Sequence, residues 1–402
     1  MAQQGYTFKA KGSWYLRYRD NFLIDGVLVR KQKCIRLTEV SDRFKNESDL
    51  ADLIAEKLAK VREAAKCPRS SESFTDYVEN TWLPYVERNM KPSTFAGYRS
   101  YFERYIKPHV KNRAVRDFTV SIVAKLLKDV ANTHTMNTAT IGKVRSILSG
   151  IFSFAISEGT YPARSAEDNP ASKAMIPEAA TKPKPTKAAT RGELKAILAI
   201  LHSDGHLFER AAIALIAYTG VRPGECRGLR WEEWDRVGDQ IAVVRSVWHA
   251  KVGTPKTEQS VRFIAVVPEL RTILRALWEA QGCPSGGYIL GRSGGRPSNL
   301  DNMVDRVIVP ALSRCVVCKQ AEAAKHEGHE FQRDESVPKW ISWYSVRRFH
   351  GTVVRQECGS SETGSKALGN SKAVFDRHDD KPTEVPSDVR KAVNGATRGL
   401  IQ

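Results

Sequence analysis

A basic, proline-containing segment near the middle of the chain constrains the fold more than any other feature. The segment reads Lys182-Pro183-Lys184-Pro185-Thr186-Lys187. Such a sequence is extended and contributes nothing to a hydrophobic core. Residues 177–189 are therefore predicted to be a basic linker between two folded regions. A chain of 402 residues is long enough for two to four domains, so each side of the linker can bury its own core.

The first 67 residues predict a small β-sheet followed by a helix. The aromatic-rich run 13–19 and the run 31–37 are typical of half-buried strands, and Asp25-Gly26 is a hairpin-type turn. Apolar residues then recur at three- and four-residue spacing over 48–66, which predicts an amphipathic helix.

Residues 72–176 predict an all-helical domain. One helix ends near Pro84, a second begins at Pro92, a third covers 119–130, and a strong apolar stripe marks 138–157. Basic residues alternate with aromatic ones over 91–116 and 138–145, a pattern that fits either phosphate contact or a solvated charged face. The candidate DNA-binding residues here and in the linker are Arg99, Arg104, Lys107, Lys143, Arg145, Lys182 and Lys184.

The charge balance favours a polyanionic partner. Lys and Arg number 63 against 45 Asp and Glu, a net charge of +18, which suits nucleic acid or an anionic membrane surface. No stretch approaches 18 uncharged apolar residues, and no basic helix carries a bulky apolar face, which argues against a membrane. The N-terminus lacks a signal-peptide pattern and the cysteines are mostly scattered, so a cytoplasmic location is expected.

Four motifs follow one another in residues 190–402, after a capping box that opens a helix at Thr190. An apolar helix runs into a glycine–arginine turn, a basic hairpin follows, and two short boxes come later. The motifs are Thr219-Gly220-Val221-Arg222-Pro223-Gly224-Glu225, the hairpin around Lys256, Tyr344-Ser345-Val346-Arg347, and Leu368-Gly369-Asn370-Ser371.

In this order, the motifs resemble those of the tyrosine recombinases, the phage-integrase family. The resemblance covers nearly the whole chain and implies a multidomain protein that is mainly α with small β-sheets. Residues 1–67 would be an arm-type β-sheet module and residues 72–176 an all-α core-binding domain of the SAM-like kind. Residues 190–402 would be a mixed α+β catalytic-type domain.

The resemblance also implies a chemistry. Arg222 and Arg347 would hold the scissile phosphate by charge-assisted hydrogen bonds, and Lys256 would protonate the leaving 5′-oxygen. A tyrosine would attack phosphorus and form a 3′-phosphotyrosine. The implied partner is double-stranded DNA, bound as a homo-tetramer, and no metal or nucleotide cofactor is required. The implied role is DNA integration or recombination for a mobile genetic element.

Three positions depart from the family pattern. Tyr344 replaces a histidine and either contacts phosphate or packs beside the neighbouring tryptophans. Asn370 replaces a second histidine and is either a hydrogen-bond donor or a plain turn residue. Asp379 lies nine residues after Asn370, where the family has its nucleophile, and no tyrosine follows Tyr344.

Two hypotheses follow from the residue at 379. One is a site-specific recombinase or integrase whose ability to cleave DNA is doubtful. The other is a catalytically inactive DNA-binding regulator or architectural subunit derived from such an enzyme. Arg348 is interpreted as a solvated residue or a DNA-backbone neighbour rather than a catalytic group.

A last constellation has metal-ligand spacing. Cys315 and Cys318 are followed by His326 and His329, a set able to close a tetrahedral zinc site on an insertion near 313–335. The alternative is a polar loop with two partly buried cysteines and two surface histidines.

Overall fold

The computed structural model describes residues 5–24, 27–163, 165–178, 180–183, 185–254, 261–292 and 295–376. The chain divides into two compact units, Met1–Lys184 and Pro185–Gln402. The division falls inside the basic, proline-containing segment.

The first unit begins with a three-stranded antiparallel sheet. Its strands are Tyr6–Ala10, Ser13–Ile24 and Val27–Glu39, paired in that order. Leu16 and Tyr18 lie on the same face of the middle strand because side chains alternate along a strand. They pack with Leu58 of the helix Ala51–Lys66 into a small core. The predicted sheet and helix are confirmed, and the predicted turn at Asp25-Gly26 lies outside the described residues.

The rest of the first unit is helical. Its strongest sequence prediction, the helix over 138–157, is observed as Thr138–Ser157 and buries its apolar stripe in the domain core. By length and composition this helix is the one candidate membrane span in the described part of the chain, but its buried stripe marks it as a core helix. The α-helical segments are Phe74–Tyr77, Leu83–Asn89, Pro92–Tyr101, Lys107–Val110, Val120–His134, Thr138–Ser157 and Pro170–Lys173.

The prediction that a helix ends near Pro84 is wrong. A π-helical turn, Val78–Trp82, precedes the proline, and the helical chain continues through Leu83–Asn89. A proline ring clashes with the carbonyl four residues earlier, and widening that turn relieves the clash. The same arrangement recurs where the π-turns Phe102–Ile106 and Val304–Ile308 end two residues before a proline.

The second unit surrounds a buried helix, Leu207–Thr219, whose residues 211–217 are all buried. Three short strands, Trp234–Asp235, Gln240–Val243 and Arg262–Ala265, form an antiparallel sheet beside it. Two-stranded pairs join Ser246–Trp248 with Lys251–Gly253 and Gly291–Arg292 with Arg296–Pro297. The other α-helices are Arg191–Ser203, Pro223–Gly228, Pro268–Ala280, Leu300–Met303, Val309–Leu312, Trp343–Cys358, Ser361–Leu368 and Lys372–Val374.

Helix boundaries in the second unit follow local chemistry. Thr190 caps Arg191–Ser203 with the predicted capping box, since its hydroxyl accepts from the Glu193 amide at 3.1 Å. The whole chain is thus mainly α with small antiparallel sheets: a sheet module, a helical domain and a mixed α+β domain. The predicted fold class is confirmed.

Candidate functional site

The first-arginine motif forms a tight turn between two helices. Helix Leu207–Thr219 ends at Gly220, which adopts the left-handed conformation with φ of 63°. Arg222 then caps the short helix Pro223–Gly228, and Glu225 reaches back to it. The Glu225 carboxylate accepts from the Arg222 backbone N–H at 3.0 Å and from its guanidinium at 2.7 Å. The turn therefore fixes both the backbone and the side chain of Arg222.

Glu225 also accepts from Arg262, whose guanidinium nitrogens lie 3.2 and 3.3 Å from the carboxylate. The Glu225 side chain is 1% exposed. Burial raises the pKa of this carboxyl, but Arg262 and Arg222 outweigh burial and hold the pKa below its ordinary value. Two guanidinium groups share one carboxylate, so the cluster keeps a net positive charge.

The last box closes onto this turn. Helix Ser361–Leu368 ends at Gly369, again left-handed, and Asn370 follows. The Arg222 guanidinium donates to the Asn370 side-chain oxygen and to the Gly369 carbonyl, the latter at 3.3 Å. Arg347 donates to the carbonyls of Gly220 and Leu368, the latter at 2.9 Å. The structure thus brings three predicted site residues, Arg222, Arg347 and Asn370, into one network.

The two named residues of the third motif differ in exposure. Both lie on helix Trp343–Cys358, which Ser342 caps by accepting from the Ser345 amide at 3.0 Å. Arg347 is 1% exposed, and its carbonyl partners make it a clamp between the first and last motifs. Tyr344 is 51% exposed, so the alternative in which it packs in the core is wrong; the buried aromatic residue is Trp343. Arg348, the residue after Arg347, donates a hydrogen bond to the Lys187 carbonyl at 3.4 Å.

His350 lies behind the first motif. Its Nδ1 is 3.1 Å from the Ala217 carbonyl. A side-chain carbon at Gly220 would lie 2.6 Å from the imidazole and 2.5 Å from Leu368, so only glycine fits between them. Burial, together with the positive charges of Arg347 and Arg262, lowers the pKa of His350 to about 4 against the raising effect of the Ala217 hydrogen bond. A neutral imidazole therefore packs against the turn that positions Arg222.

Three of the predicted site residues lie outside the described residues. They are Lys256 in the basic hairpin, Asp379 at the nucleophile position, and Lys184 in the linker.

The predicted DNA-binding residues of the first unit have different surroundings. Arg99 pairs with Glu103 at 2.8 Å, and Lys107 pairs with Glu79 at 2.5 Å, so acidic neighbours offset part of their charge. Arg145 donates to the Ala174 carbonyl at 3.1 Å and joins two helices. Arg104 and Lys143 lie over tyrosine rings, at 5.3 and 5.0 Å from the centroids, and both are exposed, as is Lys182.

The cysteine–histidine set is a compact cluster. The four ligand atoms of Cys315, Cys318, His326 and His329 all lie within 4.8 Å of one another. Burial raises the pKa of Cys315, but N–H groups of residues 332, 318 and 317 and the His329 ring outweigh it and bring the pKa to about 6. The local structure therefore favours the thiolate, the form that binds metals.

Sequence reasoning missed three residues of the arginine network as site residues: Glu225, Arg262 and His350. Glu225 follows Arg222 by three positions, which is capping-box spacing. Arg262 shares a strand face with the buried Ile264, which marks it as inward-facing. No local signal marks His350, because its neighbours come from other parts of the chain.

Comparison with known proteins agrees with this architecture. The family model of the phage integrase central domain matches residues 76–173. A "Tyrosine recombinase XerC-like" protein of Caldanaerobacter subterraneus subsp. tengcongensis is 27% identical over 208 residues, which is 49% of this chain and 50% of the relative. The chain spans about half the length of the curated relatives it matches.

Two solved structures share the fold. The Tn1549 transposon integrase in complex with transposon right end DNA superimposes with a TM-score of 0.58 at 15% identity. That match covers 78% of this chain and 97% of the integrase. A lambda integrase dimer bound to a COC' core site matches with a TM-score of 0.55 at 18% identity, covering 94% and 96% of the two chains. At these identities the likeness concerns the fold alone.

The fold is similar to that of the solved multidomain integrases, and three of the four motifs converge on the arginine network. The chain is similar to tyrosine recombinases, and its residues 76–173 match the phage integrase central domain, which agrees with the resemblance stated from its four motifs.

Proposed function

We propose that this chain is a DNA-binding recombinase or integrase-type protein that holds a backbone phosphate of double-stranded DNA at the Arg222 network. The observation that carries the proposal is the convergence of Arg222, Arg347 and Asn370 from three separated motifs on one turn. Guanidinium groups held in place by a buried carboxylate need no reorganisation to receive a phosphate. The Arg222 side chain is 20% exposed, so one edge of the network is open to solvent.

Within this proposal the two guanidinium groups have different tasks. Arg222 contacts the phosphate. Arg347 holds the Gly220 turn against the last motif through its hydrogen bonds to the Gly220 and Leu368 carbonyls. Tyr344, exposed one helical turn before Arg347, donates a hydrogen bond to the same DNA strand. Arg348 contacts the neighbouring backbone, and Lys256 completes the charge around the phosphate.

The domain roles belong to the same proposal. Residues 1–67 act as an arm-type DNA-binding module and residues 72–176 as a core-binding domain, joined through the linker 177–189 to the catalytic-type domain. Arg104, Lys143 and Lys182 offer exposed positive charge to DNA phosphates. Arg99 and Lys107 share their charge between phosphates and the acidic residues that pair with them. A cytoplasmic location fits the free thiols of Cys34, Cys67 and Cys226.

We propose that the chain binds its DNA site without cutting it. A carboxylate at 379 is repelled by a phosphodiester, and an acyl phosphate formed there would be labile, so no stable covalent intermediate accumulates. The function that fits is a DNA-binding regulator, or a subunit that joins a homo-tetramer on DNA without cleaving its own strand.

The test is a salt series of DNA affinity. Sites are selected from random-sequence duplexes by the purified chain, and the dissociation constant of the selected duplex is measured at several salt concentrations. Binding is expected to weaken steeply with salt, because each phosphate contact releases about 0.9 of a counterion. Affinity that is flat with salt, or equal for selected and unselected duplexes, would reject site-specific DNA binding.

A second candidate function is an active site-specific recombinase. The intact network of Arg222, Glu225 and Arg262 favours it, because these groups serve transition-state stabilisation as well as binding. A nicked suicide substrate made from the selected site distinguishes the two candidates. An SDS-resistant covalent DNA adduct of the unaltered chain would establish cleavage.

The phosphate chemistry in either candidate needs no metal, since guanidinium and ammonium groups supply the positive charge. We assign the cysteine–histidine cluster a structural zinc ion instead.

A further inference from the structure

The segment 313–337 is long, irregular and almost without a core. It contains no α-helix, and its pairing is limited to isolated bridges such as Cys315 with Arg333. Of its 25 residues only Cys315 and Asp334 are buried, whereas Val316 and Val317 are 42% and 61% exposed. A loop of this length rarely keeps one conformation unless something other than apolar packing holds it.

The four ligand atoms lie close to the spacing of a tetrahedral zinc site. Cys315 Sγ lies 3.3 Å from His329 Nε2, and Cys318 Sγ lies 3.3 Å from His326 Nδ1. Zinc–sulfur bonds of about 2.3 Å and zinc–nitrogen bonds of about 2.0–2.1 Å give tetrahedral edges of roughly 3.3–3.8 Å. The two sulfur–nitrogen pairs are close to such edges, and no two of the four ligand atoms lie more than 4.8 Å apart, about 1 Å beyond the longest edge.

The ring nitrogens that face away from the cluster have partners of their own. His326 Nε2 lies 3.3 Å from the Glu322 carbonyl, and His329 Nδ1 lies 3.1 Å from the Glu327 carbonyl. A carbonyl only accepts, so each ring presents an N–H on that nitrogen, and the ring nitrogen that faces the cluster is the one available to coordinate a metal ion. Metal-bound histidines are oriented in this way by outer partners.

We propose that Cys315, Cys318, His326 and His329 bind one structural Zn²⁺ ion, with His326 coordinating through Nδ1 and His329 through Nε2. Four protein ligands complete the tetrahedron, which is the mark of a structural rather than a catalytic zinc site. Two thiolates and two neutral imidazoles leave the centre uncharged, so the ion can sit in a partly buried place without a further counter-ion.

The ion stabilises the connection to the helix that carries Tyr344 and Arg347. Arg314, next to the first ligand, pairs with Asp204 at the end of helix Arg191–Ser203. Lys319, next to the second ligand, pairs with Asp334 at 2.9 Å, and the Asp334 amide donates to the Arg314 carbonyl at 2.7 Å. With the metal in place these contacts form one unit that ends five residues before Ser342. This inference does not depend on the proposed DNA-binding function.

The first test measures metal in the full-length chain. Protein purified without added metal or chelator is analysed for zinc by mass spectrometry, together with the double variant Cys315→Ser/Cys318→Ser. The control is Cys34→Ser, which removes an exposed cysteine of the N-terminal sheet. About one zinc per chain is expected in the unaltered protein and the control, and a zinc content near zero in the double variant, which lacks both thiolate ligands.

The second test keeps the unaltered chain and so does not depend on folding of a variant. Zinc is removed with a chelator and Co²⁺ is added as the probe. A tetrahedral site with two thiolates gives intense visible bands and a thiolate charge-transfer band, and limited proteolysis of the chelated chain should cut within 313–337 until metal is restored.

Any of three results would overturn the proposal. These are a zinc content near zero in protein that is folded and reduced, an octahedral Co²⁺ spectrum without charge transfer, or a Cys315–Cys318 disulfide in the protein as purified. Equal zinc content in the double variant and the control would show that zinc binds at another site, and this result would also contradict the assignment.

Discussion

The guanidinium of Arg222 donates a hydrogen bond to the side-chain oxygen of Asn370, 148 residues further along the chain. Arginine has no acceptor, so this bond fixes the orientation of the Asn370 amide, with its oxygen toward Arg222 and its NH₂ group turned away. The first and last motifs therefore form one hydrogen-bonded network, although the chain between them passes through most of the second unit.

Replacing Arg222 should weaken DNA binding and change its salt dependence. For Arg222→Ala we expect a 10- to 100-fold loss of affinity, about 1.5–3 kcal/mol for charge-assisted hydrogen bonds, and a salt slope smaller by about 1. The affinity and its salt slope are both measured by fluorescence anisotropy on the selected duplex. The control Arg275→Ala removes an exposed arginine of helix Pro268–Ala280 and should change affinity by less than about twofold. Equal losses in the two variants would contradict a specific role for Arg222.

Neutralising Glu225 should destabilise the second unit. In Glu225→Gln the guanidinium groups of Arg222 and Arg262 lose their shared buried charge, which should cost about 3 kcal/mol of the free energy of unfolding. Urea unfolding followed by tryptophan fluorescence measures this. The matched control is Glu362→Gln, because the Glu362 carboxylate is exposed and paired with Lys366. This control should lose about 0.5 kcal/mol of the free energy of unfolding. A loss for Glu225→Gln no larger than for the control would mean that the carboxylate is not holding the arginines.

A methyl group at Gly220 should lower the free energy of unfolding for two reasons, and a control variant can separate them. Gly220→Ala places an alanine at φ of 63° and also pushes its Cβ into Leu368 and His350. The conformational part is about 1–2 kcal/mol and crowding adds about 1–3 kcal/mol. Gly205→Ala has a similar φ, 74°, with open space around the Cβ, so it should show the conformational part alone. If thermal unfolding gives the same loss for both, the close approach of Leu368 and His350 is not maintained in solution.

His350 should make the second unit less stable in mild acid. Its pKa is about 4 in the fold against an ordinary value near 6.5, so the unfolded chain binds the proton more readily. The stability from the neutral ring is therefore fully present above about pH 6.5 and is lost as the pH falls toward 4, with about 2 kcal/mol lost between pH 7 and pH 5. His350→Asn can keep the hydrogen bond to Ala217 but does not titrate. The two proteins should differ in the slope of unfolding free energy against pH, and parallel slopes would refute the assignment.

Sequence periodicity predicted elements whose signals are local. Helix Thr138–Ser157 was predicted with its observed bounds because its apolar residues form one stripe, and no proline or glycine cluster interrupts it. The helix was wrongly predicted to end near Pro84, because the π-turn that accommodates the proline forms in the packed structure and has no signal in the sequence pattern. In the N-terminal module the alternation of apolar and polar residues was sufficient to predict strands.

For the site, motifs predicted which residues come together but not what holds them. Arg347, predicted at the phosphate, is buried and donates to two carbonyls, because its helix enters the core at Trp343 and Val346; its contact with phosphate stays a prediction. The exposure of Tyr344 follows from its place on the opposite side of that helix from Trp343 and Val346. The partners of Glu225, Arg262 and His350 lie far apart in sequence, which spacing alone does not reveal.

The central claim is that the arginine network is a working phosphate site from which only the nucleophile is missing. Its most direct test is the nicked suicide substrate carrying the selected site, incubated with four proteins. These are the unaltered chain, Asp379→Tyr, Asp379→Tyr with Arg222→Ala, and Asp379→Phe as a matched aromatic control without the hydroxyl.

We predict an SDS-resistant DNA adduct for Asp379→Tyr alone, because only that variant combines a phenol nucleophile with the intact network. An adduct with the unaltered chain would contradict the account, since Asp379 would then not limit cleavage. An adduct that persists after Arg222→Ala would show that the phosphate is held elsewhere, and no adduct from Asp379→Tyr despite tight binding would show that the site lacks more than its nucleophile.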